Sequence, residues 1–135
     1  MLSSGITKDG VRDLIHAFYE KVRGEPELAP IFMTVIGDDW GPHLEVITRF
    51  WTSAMMGSGE YNGNPMAVHL ALGNSEPRIE PRHFEIWLRL FRETATEHFI
   101  EPVAASFITR AERIAESLQL GMFVNNAGPK ITTAR

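Results

Sequence analysis

Apolar residues recur along most of this chain at the spacing of one helical face. Between residues 7 and 22, Val11, Leu14, Ile15, Phe18 and Val22 keep that rhythm behind Thr7, whose hydroxyl suits an N-cap, and predict a first long helix. Gly24-Glu25-Pro26 breaks it. Leu28-Ala29-Pro30-Ile31-Phe32 is then long enough only for a short helical turn, with Phe32 pointing inward, before the loop at Gly37-Asp38-Asp39. A second long helix starts with Pro42 in its first turn, where proline loses only a hydrogen bond the helix end never makes, and runs to about Met56. His43, Ile47, Phe50 and Ala54 form one line on it, flanked by Leu44, Trp51 and Met55, an apolar girth broad enough to predict deep burial.

Gly57 to Asn64 reads as a flexible loop, and Pro65 opens a short segment, Met66 to Leu72, that Gly73-Asn74 ends. Glu80-Pro81 starts a third long helix with Phe84, Trp87, Leu88, Phe91 and Ala95 inward, reaching about Phe99. Pro102 starts a fourth, with Val103, Phe107, Ala111, Ile114 and Leu118 on its buried face and Gly121 as its stop. No strand pattern competes, so the expected class is all-α. The expected organisation is an N-terminal extension at 1–6, one domain at 7–121, and a loose tail at 122–135 that lacks apolar periodicity.

Composition narrows the function. The chain has 135 residues, 44% of them hydrophobic, which suits one compact domain. A net charge of −4 with scattered basic residues leaves no stripe to meet a phosphate backbone, so nucleic acid is not an expected partner. The start MLSSGITKDG has no signal-peptide pattern, and no run approaches the roughly 18 apolar residues of a membrane span. A cytoplasmic location without membrane contact is the expectation. Cysteine is absent, which excludes thiolate catalysis, Cys-based metal sites and covalent haem attachment. Any metal must be held by His or carboxylate.

Five histidines are present: His16, His43, His69, His83 and His98. Most histidines in a protein are solvated or hydrogen-bonded to neighbours. His69 stands apart because it lies in a proline-started segment among Met66, Val68, Leu70 and Leu72, where it can face an apolar cavity. His43 lies on the inward line of a hydrophobic helix, where an imidazole is costly to bury without a polar partner. Tyr19 beside one apolar stripe and Trp87 at the centre of another each bring a donor into a dry region.

Several spaced motifs in one order resemble the truncated haemoglobins, and among them the third group. They are Phe18-Tyr19, Pro30-Ile31-Phe32, Trp40-Gly41-Pro42-His43, Phe50-Trp51, Tyr61 and Gly63 before Pro65 and His69, His83-Phe84, and Trp87-Leu88 with Phe91. The resemblance runs from about Thr7 to Leu120, and the glycine pairs that mark other truncated globins are not seen. It implies a truncated globin fold, a two-over-two helical sandwich around non-covalent haem b. His69 becomes the proximal iron ligand, with Tyr19, His43 and Trp87 as the distal, catalytic set. It also implies Phe32 stacked on the porphyrin; Ile47 and Phe84 are further expected cofactor-binding residues, joined by Arg78, since Arg78 or Arg82, neither with a clear family role, is suggested to meet a propionate.

A neutral imidazole holds haem iron while leaving the opposite position for a diatomic gas, and donors aimed at the gas slow its escape. His43 is open to three roles: a further donor, an orienter of the Tyr19 hydroxyl, or a gate. The expected function is reversible binding of O2, NO or CO by a monomer or weak dimer served by an unidentified reductase. Nitric oxide dioxygenation and peroxidase-like chemistry are the alternatives. Two other classes are alternatives: a di-iron bundle using Glu80-x-x-His83, for which the sequence lacks a second Glu-x-x-His, and a cofactor-free interaction module.

Overall fold

The computed structural model describes residues 2–36, 39–57 and 80–120, with side chains omitted at 34–36. Five α-helices are described: α1 (Lys8–Gly24), α2 (Ala29–Ile36), α3 (Trp40–Met56), α4 (Pro81–His98) and α5 (Glu101–Gln119). Among the described residues no strand forms; Ser3 makes an isolated parallel bridge to Phe99.

The start of α1 is a local chemical event. Thr7 is extended and its hydroxyl accepts from the Gly10 N–H at 3.0 Å, satisfying one of the donors that a helix start leaves over. Gly10 has a packing reason as well. A Cβ there would come within 3.1 Å of Thr7 Oγ1 and 3.7 Å of the Phe99 ring, so the bare backbone lets the cap and that ring close together. From Val11 onward the helix buries Leu14, Ile15, Phe18, Tyr19 and Val22, the face its periodicity predicts.

α2 is longer than the single turn expected from the sequence. It runs on through Met33 to Ile36, an eight-residue helix, while Leu28, Ile31 and Phe32 seal its inner side. α3 ends at Gly57, whose left-handed φ of 65° lets its N–H return to the Ser53 carbonyl.

The most deeply buried line of α3 is not the one through His43. Trp40, Leu44, Trp51 and Thr52 are buried, whereas His43, Ile47, Phe50 and Ala54 are half-buried. The face of α5 is rotated in the same small way: Ala104 and Ala115 are buried beside Phe107, Ala111 and Leu118, while Val103 and Ile114 lie at its margin. Small side chains on a buried face let two helices approach closely, and α5 packs on α4.

The helices pair as α1 with α3 and α4 with α5, and α1 bridges the pairs through α4, which gives the two-over-two arrangement. At the centre Trp51 stacks on Phe91 with ring centroids 5.0 Å apart, Phe18 meets Phe91 edge-on at 5.1 Å, and Phe99 stacks on Phe107 at 4.7 Å. These rings are all almost fully buried. Among the described residues, no helix is long and apolar enough to cross a membrane.

Candidate functional site

Tyr19 lies on the buried face of α1 and Trp87 in the middle of α4, half-buried, so the α1–α4 packing brings them together. The Trp87 indole N–H donates to the Tyr19 hydroxyl. Burial pushes the Tyr19 phenol up to about 12, a rise that the Trp87 hydrogen bond only partly offsets. Tyr19 therefore remains a neutral O–H across the physiological range. With Trp87 occupying one of its lone pairs, the Tyr19 proton is left to be offered elsewhere.

A network of rings surrounds this pair. Phe18 meets Tyr19 at 4.7 Å and Trp87 at 5.4 Å, both edge-on, and Trp87 stacks on Phe91 at 5.9 Å. On the other side Tyr19 faces Phe32 at 6.0 Å and Trp40 at 6.1 Å, and Trp40 meets the His43 ring edge-on at 5.9 Å. The Arg23 guanidinium lies 4.9 Å from the centre of the Trp40 ring, a cation–π contact at the outer edge of the cluster.

Four residues expected from the sequence are thus joined in one network: Tyr19, Trp87, Phe32 and His43. Ile47 lies one turn beyond His43 on α3 and is half-buried; Phe84 lies one turn before Trp87 on α4 and is buried. His69 and Arg78 fall outside the described residues, as does Tyr61.

Two residues emerge to which the haem expectation gave no role. Trp40 is 3% exposed and its Nε1 has no hydrogen-bond partner among the described residues. His83 is buried, and its Nδ1 accepts the Glu80 N–H at 2.8 Å, as the N3 side chain of a capping box does. Its Nε2 is 3.8 Å from Glu27 Oε1. Burial and the neighbouring Arg82 hold the His83 imidazole below its ordinary pKa, against the opposing pull of Glu80 and Glu27. In Glu80-x-x-His83, then, the imidazole nitrogen nearest the glutamate is engaged in starting α4. Arg82 is itself 3.4 Å from both Glu27 and Glu80.

The pairing of α1 with α3 and of α4 with α5, with a tyrosine, a tryptophan and a histidine gathered beside their junction, is the arrangement of a globin cut down to two helix pairs. No protein-family model matches the chain. It is 37% identical over 117 residues to a group 3 truncated haemoglobin, ctb, of Campylobacter jejuni, covering 84% of this chain and 89% of the relative. It also superposes on the crystal structure of a group III truncated haemoglobin from Campylobacter jejuni with a TM-score of 0.83 at 35% identity, covering 90% of this chain and 95% of the other. The chain belongs to the group III truncated haemoglobins.

Membership of a haemoglobin family implies a haem cofactor, and the residues present suit one. The line His43, Ile47 and Phe50 and the side chain of Trp87 are half-buried and supply largely apolar surface. Tyr19 Oη and Trp40 Nε1 add donors within the same ring network. A flat, largely apolar group with acceptor atoms at its rim and on its face is complementary to such walls.

Proposed function

We propose that this chain is a cytoplasmic haem b protein that reversibly binds dioxygen or another diatomic gas, NO or CO, at a five-coordinate iron with His69 as its axial ligand. When bound, ferrous haem supplies the open coordination position at which such a gas is taken up. The observation that carries the reading is the Trp87-to-Tyr19 hydrogen bond, buried within the ring network of a chain that belongs to the truncated haemoglobins.

In this reading Phe32, Ile47 and Phe84 hold the macrocycle by apolar contact, and Arg78 meets a carboxylate at its rim. Trp87 fixes the Tyr19 hydroxyl, and Tyr19 holds its proton for the outer atom of the gas. His43, half-buried and edge-on to Trp40, closes the same side. A buried donor of this sort contributes about 1 kcal/mol net, and about 1.4 kcal/mol corresponds to tenfold in affinity. Trp87 acts chiefly by keeping Tyr19 in place. An unidentified reductase returns the iron to the ferrous state.

The test is an absorption spectrum of the protein expressed with ample haem, beside His69→Ala. A Soret band in the wild type and its loss in the variant is the expected result. A colourless wild type that takes up no haem ends the reading, and a normal spectrum in His69→Ala ends the axial assignment alone.

A further inference from the structure

Two buried side-chain polar atoms have no hydrogen-bond partner among the described residues, Trp40 Nε1 and Thr48 Oγ1, and both belong to α3. That is the helix that carries His43 and Ile47. An indole N–H has no other function to fall back on: it donates or it is left unpaired, and leaving it unpaired in a buried place is costly. At 3% exposed, Trp40 is nearly as enclosed as Trp51 and more enclosed than the half-buried Phe50 on the same helix. Its own surroundings explain the burial without satisfying the donor. The indole meets Tyr19 at 6.1 Å, Phe32 at 6.2 Å and the His43 ring edge-on at 5.9 Å. Tyr19 and His43 belong to the proposed gas-binding side, and Phe32 to the proposed apolar hold on the macrocycle.

We infer that Trp40 is a further hydrogen-bond donor of this pocket, its indole N–H meeting an oxygen acceptor carried by the pocket's occupant. The inference rests on the haem reading above. Oxygen acceptors of an occupied haem pocket are of two sources: a carboxylate at the rim of the porphyrin, or the small ligand held on its face. Both present a partly or fully negative oxygen, which is the chemistry a buried N–H serves best. Arg23 stacked over the same ring at 4.9 Å adds positive charge at this edge of the cluster and suits either.

The first measurement uses the wild-type chain. With indole nitrogens labelled with nitrogen-15, the Trp40 N–H is followed by NMR in the haem-free protein and in the diamagnetic CO form, its resonance assigned by its absence in Trp40→Phe. A downfield shift and slowed hydrogen exchange on loading are expected. An indole proton equally shifted and equally exchangeable in both forms overturns the inference. The second measurement compares Trp40→Phe, which keeps an aromatic ring, with wild type. A porphyrin carboxylate as acceptor predicts haem transfer to a scavenger globin about tenfold faster with an unchanged CO stretch. A ligand atom as acceptor predicts a shifted CO stretch and CO release about tenfold faster, with haem retention unchanged. No change in either arm overturns the inference while leaving the haem reading intact, because the Soret band of both proteins reports that reading separately.

Discussion

The indole N–H of Trp87 on α4 donates to the hydroxyl of Tyr19 on α1, so two candidate donors act in series rather than side by side. Trp87 has one proton and spends it on Tyr19; Tyr19 keeps its own. Tyr19→Phe should therefore raise the dioxygen dissociation rate by about tenfold, and Trp87→Phe by less, because it loosens Tyr19 without removing its proton. Stopped-flow displacement by CO reads both rates, and unchanged traces for the two variants would remove the donor role.

Because burial holds the Tyr19 phenol near 12, its O–H persists well past the ordinary tyrosine range. Dioxygen dissociation from the wild type should be flat from neutral to mildly alkaline pH. A rate that climbs on approach to the ordinary tyrosine pKa of 10 would contradict the protected phenol.

His83 predicts the opposite end of the pH scale. Its folded pKa lies below the ordinary 6.5, so the unfolded chain takes up a proton first as pH falls. Its contribution is complete above 6.5 and is lost as pH drops from there towards the depressed folded value. Protonation also places a hydrogen on Nδ1, the atom that accepts the Glu80 N–H. Melting temperature should decline over that window in the wild type and decline less steeply in His83→Gln, whose amide oxygen can accept without titrating. Parallel melting curves at every pH would show that this imidazole does not govern the acid limb.

Phe91 is fully buried and holds three rings at once: Trp51 and Trp87 stacked on it, Phe18 edge-on. Phe91→Ala should cost about 3–5 kcal/mol in denaturant unfolding, the range for emptying a large aromatic site in a core. A loss under about 1 kcal/mol would mean that the neighbours collapse into the space.

Thr7→Ala removes the hydroxyl that caps α1 and should cost about 1 kcal/mol. Thr7→Ser, which keeps the acceptor, should recover most of it in the same urea titration.

The helices were legible because their apolar spacing is regular, and α1 buries the residues its pattern names. The finer rotation of α3 and α5 was not. The expected apolar lines left out Trp40 and Ala104, both of which are buried, and only the close packing of whole helices decides which of two adjacent lines is sealed. α2 outran its expected turn because nothing between Met33 and Ile36 stops a helix before Gly37. At the site, Tyr19 and Trp87 could each be seen as a donor, but their pairing depends on how α1 meets α4 and leaves no mark on local sequence. The His83 cap was hidden because the capping pattern is read from Glu or Gln at that position, and an imidazole accepting through Nδ1 does the same work. His69, the proposed axial ligand, lies outside the described residues.

Ser3 links the ends of two helices. Its N–H donates to the His98 carbonyl, the last residue of α4, and its carbonyl accepts from Ile100 N–H, the residue that precedes α5, each at 3.0 Å. One short stretch of backbone thus works as a splint across the elbow between the second helix pair. Slipping it off would release both mates together, so amide exchange at Ile100 serves as a built-in gauge of whether that elbow is open or shut.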